Sequence, residues 1–136
     1  MKLHADRHDH LAITAYGAGW LAVNGQRHEG SLVISSSGRM SAWDCQHVDH
    51  LTSAHFSALL ADEDPLPELV IFGSGERLRF VHPSLLGELT ARRIGVETMD
   101  TQAACRTYNI LAGEGRRVVA ALLLVRRDPQ PDPGSG

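Results

Sequence analysis

The side chains of this chain that could do chemistry cluster in two places. Gln102, Arg106 and Asn109 are spaced i, i+4 and i+7. On a helix that spacing makes one polar stripe, which must reach solvent, a pocket or a partner. Arg106 could grip a carboxylate or phosphate through its planar fork. It could equally close an internal salt bridge to Asp100 or Glu97, and both readings stay open. Gly73-Ser74-Gly75 follows a run of apolar residues. Glycine conformations at the C-terminal edge of a strand can turn backbone amides toward an anion, but a tight structural turn has the same composition. The motif lacks the lysine of a P-loop and the third glycine of a dinucleotide fingerprint. Asp100-Thr101 reads first as a helix cap, and the same helix start could attract an anion through its free amides. The candidate ligand- or partner-binding residues are therefore Gly73, Ser74, Gly75, Asp100, Thr101, Gln102, Arg106 and Asn109.

No catalytic set accompanies them. Ser74 and Cys105 would each need a base, no nucleophile-elbow sequence is present, and Cys105 falls mid-helix, where burial is expected. Cys45, His47, His50 and His55 have metal-ligand content, but their spacing matches no closed zinc knuckle. His4, His8 and His10 lie in a polar N-terminal stretch. We assign no catalytic residue, no metal and no cofactor.

The 136 residues suit one domain. A net charge of −3 gives no electrostatic case for nucleic acid or for direct insertion into an anionic membrane. Lys2 is the single lysine; every other basic side chain is arginine. Two cysteines make no disulfide framework. The N-terminus carries no apolar signal-peptide core, and the apolar run over 118–125 is too short for a bilayer. These features read as a cytoplasmic protein, peripheral to a membrane at most through a partner.

The elements that must position the polar stripe follow from periodicity. Strands are predicted over 11–16 and 20–23, with Asn24-Gly25 as a hairpin turn. A return strand is predicted over 26–35 and a short strand over 39–44. Residues 51–60 have helical spacing, and the acids and prolines of 62–67 make a solvated connector. The stretch 68–72, apolar throughout after Glu68, predicts a strand buried on both faces, with 78–81 as a brief extension. A second helix is predicted over 83–93, with Gly95 as its left-handed cap. Then come a strand over 96–99, a third helix from Asp100 or Thr101 to about 112, and a last strand over 116–125. On the third helix, Ala103, Thr107, Ile110 and Leu111 are assigned to the core face. The order is α/β, a three-layer domain with a mixed sheet: antiparallel N-terminal strands, then α-β-α-β-α-β with right-handed crossovers. Residues 1–10 are expected to be flexible, 11–125 to form the single domain and 126–136 a disordered tail.

Residues 68–124 resemble a known family. The carriers are the strand into Gly73-Ser74-Gly75, then Gly95-Val96-Glu97-Thr98-Met99-Asp100-Thr101, Ala103-Ala104-Cys105-Arg106-Thr107-Tyr108-Asn109 and Glu114-Gly115-Arg116-Arg117-Val118. The chain is identified as similar to the Mth938-like domain family, a domain of unknown function. Its members include bacterial and archaeal proteins, an adipogenesis-associated protein and a mitochondrial assembly factor for respiratory complex I. Gly73-Ser74-Gly75 stands where the family pattern has Gly-Thr-Gly, and Cys105 stands where relatives carry alanine. The resemblance implies a compact α/β fold and no established reaction. Two functional classes remain. One is a non-enzymatic protein-binding or assembly module with a protein partner or a homodimer, expected to show an exposed apolar or arginine-lined patch. The other is a site for a small anionic ligand near Gly73–Gly75 and Arg106.

Overall fold

The computed structural model describes residues 10–125. The proposed flexible N-terminus (His10 apart) and the tail over 126–136 lie outside the described residues. The N-terminal strands β1 (Ile13–Gly17), β2 (Trp20–Val23) and β3 (Gln26–His28) form an antiparallel sheet of their own. The turn between β2 and β3 has positive φ at Asn24 (48°) and Gly25 (86°), the geometry a two-residue type I′ hairpin demands. The return strand predicted over 26–35 is two strands. It breaks at Gly30-Ser31, and β4 (Leu32–Ser35) enters a second sheet. A hydrophobic run following a polar one gave one continuous extended reading, whereas the chain changes layer between them.

The second sheet carries the core. Its order is β5-β4-β8-β6-β7, with β5 (Met40–Ala42), β6 (Leu69–Gly73), β7 (Gly95–Met99) and β8 (Val118–Leu122). β4 runs antiparallel to β5 and β8, and β6 runs parallel to β7 and β8. The helices are α1 (Ser53–Ser57), extended by a 3-10 turn at Ala58–Leu60; α2 (Gly87–Ala91), preceded by a 3-10 turn at Pro83–Leu86; and α3 (Thr101–Gly113). The alternation α1-β6-α2-β7-α3-β8 is as the sequence pattern requires.

Strand periodicity sorts the core into two layers. From β8, Val118, Ala120 and Leu122 join Ile71 of β6, α3 and the inner face of the N-terminal sheet. Val119 and Ala121, with Val70 and Phe72 of β6, meet Trp43, Phe56, Leu59 and Leu89 on the side of α1 and α2. There Trp43, Phe56 and Phe72 pack edge to face, with centroids 5.5 to 6.1 Å apart.

Three local expectations change. Residues 78–81 pair with no strand; 78–80 run as an exposed loop and Val81 turns back onto the core on the α1 side. The left-handed residue closing α2 is Arg93 (φ 61°), not Gly95, which opens β7. The buried face of α3 is Thr101, Ala104, Cys105, Tyr108 and Ala112, one step round from the face assigned by sequence, so Ile110 is 60% exposed. Apolarity alone misplaced that stripe, because small residues and a tyrosine fill the tight space over the sheet.

Candidate functional site

The β6–α3 junction gathers Gly73, Ser74, Gly75, Asp100 and Thr101. Gly73 is there because α3 sits directly on the end of β6. A Cβ at this position would lie 3.0 Å from both Thr101 Oγ1 and Leu122 Cδ2, tighter than most side-chain contacts, so those neighbours would have to give way. Gly75 takes φ 106°, a region L-residues rarely enter. Thr101 is buried and joins three segments. Its hydroxyl accepts the Gly75 N–H (2.8 Å) and donates to the Leu123 carbonyl (2.7 Å), while its own N–H donates to the Gly75 carbonyl (2.9 Å). Asp100 caps α3, its Oδ1 accepting from the Ala103 amide at 3.0 Å.

The buried Ser74 reaches the other way, into the loop that follows. Its Oγ lies 2.6 Å from the Arg77 carbonyl and 3.2 Å from the Met99 carbonyl, and accepts the Arg79 N–H at 2.9 Å. One hydroxyl thus pins both sides of the loop. Arg79 holds it from outside through a 2.9 Å ion pair to Asp49. Leu78, between the anchored residues, is 53% exposed, and Phe80, just after them, is 72% exposed. Leu78 and Phe80 are thus exposed on a loop whose backbone is held by hydrogen bonds, alternating with Arg77 and Arg79. The sequence reading missed this pair by absorbing it into a strand extension. The available signal was the alternation Arg77-Leu78-Arg79-Phe80 without an opposing strand.

The polar stripe of α3 is a seam between helix and N-terminal sheet. Asn109 behaves as an additional strand partner: its Oδ1 accepts the Ile13 N–H (2.9 Å) and its Nδ2 donates to the Ile13 carbonyl (2.7 Å). Arg106 donates to the Tyr16 hydroxyl at 3.1 Å, with its guanidinium 6.0 Å from the ring centroid. That hydrogen bond holds the Arg106 guanidinium above its ordinary pKa. Its partner is a phenol, rather than the Asp100 or Glu97 carboxylate considered from sequence. Tyr108 donates to the Leu11 carbonyl at 2.9 Å, and burial pushes its pKa up. Cys105 is fully buried, and burial pushes its thiol up to about 12, far from a nucleophile's range. Gln102 is exposed and borders a cleft with Gly75, Thr101 and Gly17–Gly19. Arg106 is not on the wall of that cleft, whose volume of about 20 Å³ is near that of one water. Arg116 pairs with Glu68 at 3.3 Å, and its hydrogen bond lowers the Glu68 pKa. Among the described residues no group of three His, Cys, Asp or Glu side chains is placed to hold a metal ion.

Residues 13–123 match a family described as "Protein of unknown function (DUF498/DUF598)". The chain belongs to this family. The likeness extends to named relatives of the DUF498/DUF598 chain. NADH dehydrogenase (ubiquinone) 1 alpha subcomplex assembly factor 3 of Bos taurus is 33% identical over 113 residues, 83% of this chain and 60% of that protein. The chain therefore spans about 60% of the length of that relative. A crystal structure from Bordetella parapertussis is 38% identical with a TM-score of 0.78, covering 84% of this chain and 95% of the other. A solution structure from Bordetella pertussis, described as a Mth938-like domain, is 34% identical with a TM-score of 0.75 and covers 85% and 86%. The Mth938-like resemblance read from residues 68–124 is thereby shown, as is the mixed α/β fold it implied.

Proposed function

We propose that this DUF498/DUF598 member is a non-enzymatic protein-binding module that serves the assembly of a larger complex. The observation that carries the reading is the Leu78–Phe80 pair, exposed on a loop that Ser74 and Arg79 hold in place. A preorganised apolar anchor loses little conformational entropy on docking. In this reading Gly73, Ser74, Gly75, Asp100 and Thr101 build the base of that loop, while Arg106 and Asn109 fix the N-terminal sheet. The name of the bovine relative, an assembly factor for NADH dehydrogenase, points to a respiratory complex or one of its subunits as the partner class. Among the described residues no helix is long and apolar enough to cross a membrane. We place the chain in the cytoplasm, reaching a membrane through its partner.

The test is affinity purification under mild conditions of the tagged chain and of its Leu78→Ser/Phe80→Ser variant from the source cells. The wild type recovers a protein partner in near-stoichiometric amount and the variant, with unchanged thermal stability, does not. A wild type that recovers no partner, or a variant that recovers the same one, rejects the proposal.

A further inference from the structure

The five-stranded sheet ends at β5, and its register shows which backbone groups face outward. The Trp43 N–H donates to the Ser31 carbonyl (2.9 Å) and the Ser35 N–H donates to the Arg39 carbonyl (2.8 Å). Val33 pairs with Ser41 between them. In an antiparallel ladder these alternate positions exchange their bonds with the neighbour, and the residues between them face away. Met40 and Ala42 therefore present their N–H and C=O groups to the open edge, two residues apart, as an incoming strand requires. All three residues of β5 are exposed.

A groove of about 220 Å³ runs beside this edge on the α1 side of the sheet. Its apolar walls are Val33, Trp43, Ala58 and Leu59. Trp43 is a fixed wall, because its indole N–H donates to the His55 carbonyl at 3.2 Å and its ring packs on Phe56 and Phe72. The groove also meets Asp62 and Glu63, both within 4 Å of the Arg39 guanidinium. The Asp62 side chain is 74% exposed. Asp44, also exposed, follows β5 by two positions. Asp62 and Glu63, whose side chain is buried and also accepts from the Ser35 and Ser37 hydroxyls, thus share one guanidinium, and Asp44 adds a further exposed carboxylate just beyond the strand.

We propose that β5 is a strand-addition site for an extended segment of a partner protein. That segment places aliphatic side chains at alternate positions over the groove and basic residues at its ends. Main-chain bonds to Met40 and Ala42 supply the pairing, the groove reads every second side chain, and the excess of carboxylates selects basic ends. This surface shares no residue with the Leu78–Phe80 loop. The inference rests on the protein-binding reading only in asking for a polypeptide partner, and its test needs no natural partner.

The probe is a blocked peptide, Lys-Thr-Val-Thr-Val-Thr-Lys, titrated into the full chain labelled with nitrogen-15. Its odd positions share one face, so lysines and valines point to the groove together. Shifts and slowed hydrogen exchange at the Met40 and Ala42 amides are expected. A peptide with glutamate at both ends binds at least about tenfold more weakly, from like-charge juxtaposition. Ala42→Pro removes an outward N–H without touching the β4 ladder, a substitution edge strands accommodate. It abolishes the peptide response, whereas Leu78→Ser/Phe80→Ser leaves it intact. Equal binding by Ala42→Pro, equal affinity for the glutamate peptide, or no response at Met40 and Ala42 overturns the proposal. So does protection of those amides in the free protein together with dimeric sedimentation, which would assign the edge to a second copy.

Discussion

Thr101→Val removes one oxygen and keeps the shape of the side chain. Thr101 is buried at the end of β6, and its hydroxyl has both a donor and an acceptor to satisfy: the Gly75 N–H at 2.8 Å and the Leu123 carbonyl at 2.7 Å. Valine leaves both without their side-chain partner. A buried polar group left unpaired costs about 1–3 kcal/mol, so the loss is about 2–4 kcal/mol once partial relaxation is allowed. For a domain of this size that lowers the melting temperature by about 6–16 °C. Thr101→Ser keeps the hydroxyl and loses one methyl group, which costs about 1 kcal/mol. Urea titration of the three proteins, followed by far-ultraviolet circular dichroism, measures the differences directly. A valine variant within about 0.5 kcal/mol of the wild type would refute the reasoning, since that is the range of ordinary surface changes. So would a serine variant as damaged as the valine one, because the hydroxyl would then be irrelevant.

Asn109→Ala breaks both bonds to Ile13. It should cost about 1–3 kcal/mol and speed hydrogen exchange at the Ile13 amide relative to amides of β8. Arg106→Ala removes an exposed guanidinium from the Tyr16 hydroxyl. It should leave stability within the range of ordinary surface substitutions and partner recovery unchanged; loss of the partner would move the interface onto the α3 stripe. Cys105 should resist iodoacetamide at pH 8 until urea unfolds the chain, because its folded pKa is raised by burial to about 12. Keeping this thiol buried and neutral makes a pH-dependent contribution to stability. The ordinary value is 9.0, so this contribution is full below pH 9.0 and falls as the pH rises from there to about 12. Fast alkylation of the folded chain at Cys105 would show that the α3–sheet layer opens.

The parts of the fold legible in the sequence were those whose signal is local. Asn24-Gly25 announces its turn because few residues accept positive φ at both positions. Residues 69–72 announce a doubly covered strand through unbroken apolarity, and α3 announces its start through Asp100. The layer change at Gly30-Ser31 was hidden, since extended backbone reads alike in either sheet. The polar stripe of α3 was found, but its use was not. Gln102, Arg106 and Asn109 have ligand-binding chemistry, and only the placement of β1 alongside the helix turns Asn109 into a strand partner and Arg106 into a donor to Tyr16. The Gly73-Ser74-Gly75 motif was similarly two-sided. Its glycines answer to the close approach of Thr101 and to the positive φ at Gly75. Its serine answers to a loop whose exposed Leu78 and Phe80 had looked like strand residues.

Docking through the Leu78–Phe80 loop is most directly tested by site-specific photo-crosslinking in the source cells. A benzophenone amino acid replaces Phe80 in one strain and Gln26, at the exposed edge strand β3, in another. The account predicts that illumination of the position-80 strain traps a discrete protein partner, which the position-26 strain does not. It also predicts that Leu78→Ser, introduced into the position-80 strain, removes that crosslink. A position-80 strain that traps no protein, or one whose product appears equally from position 26, would contradict it.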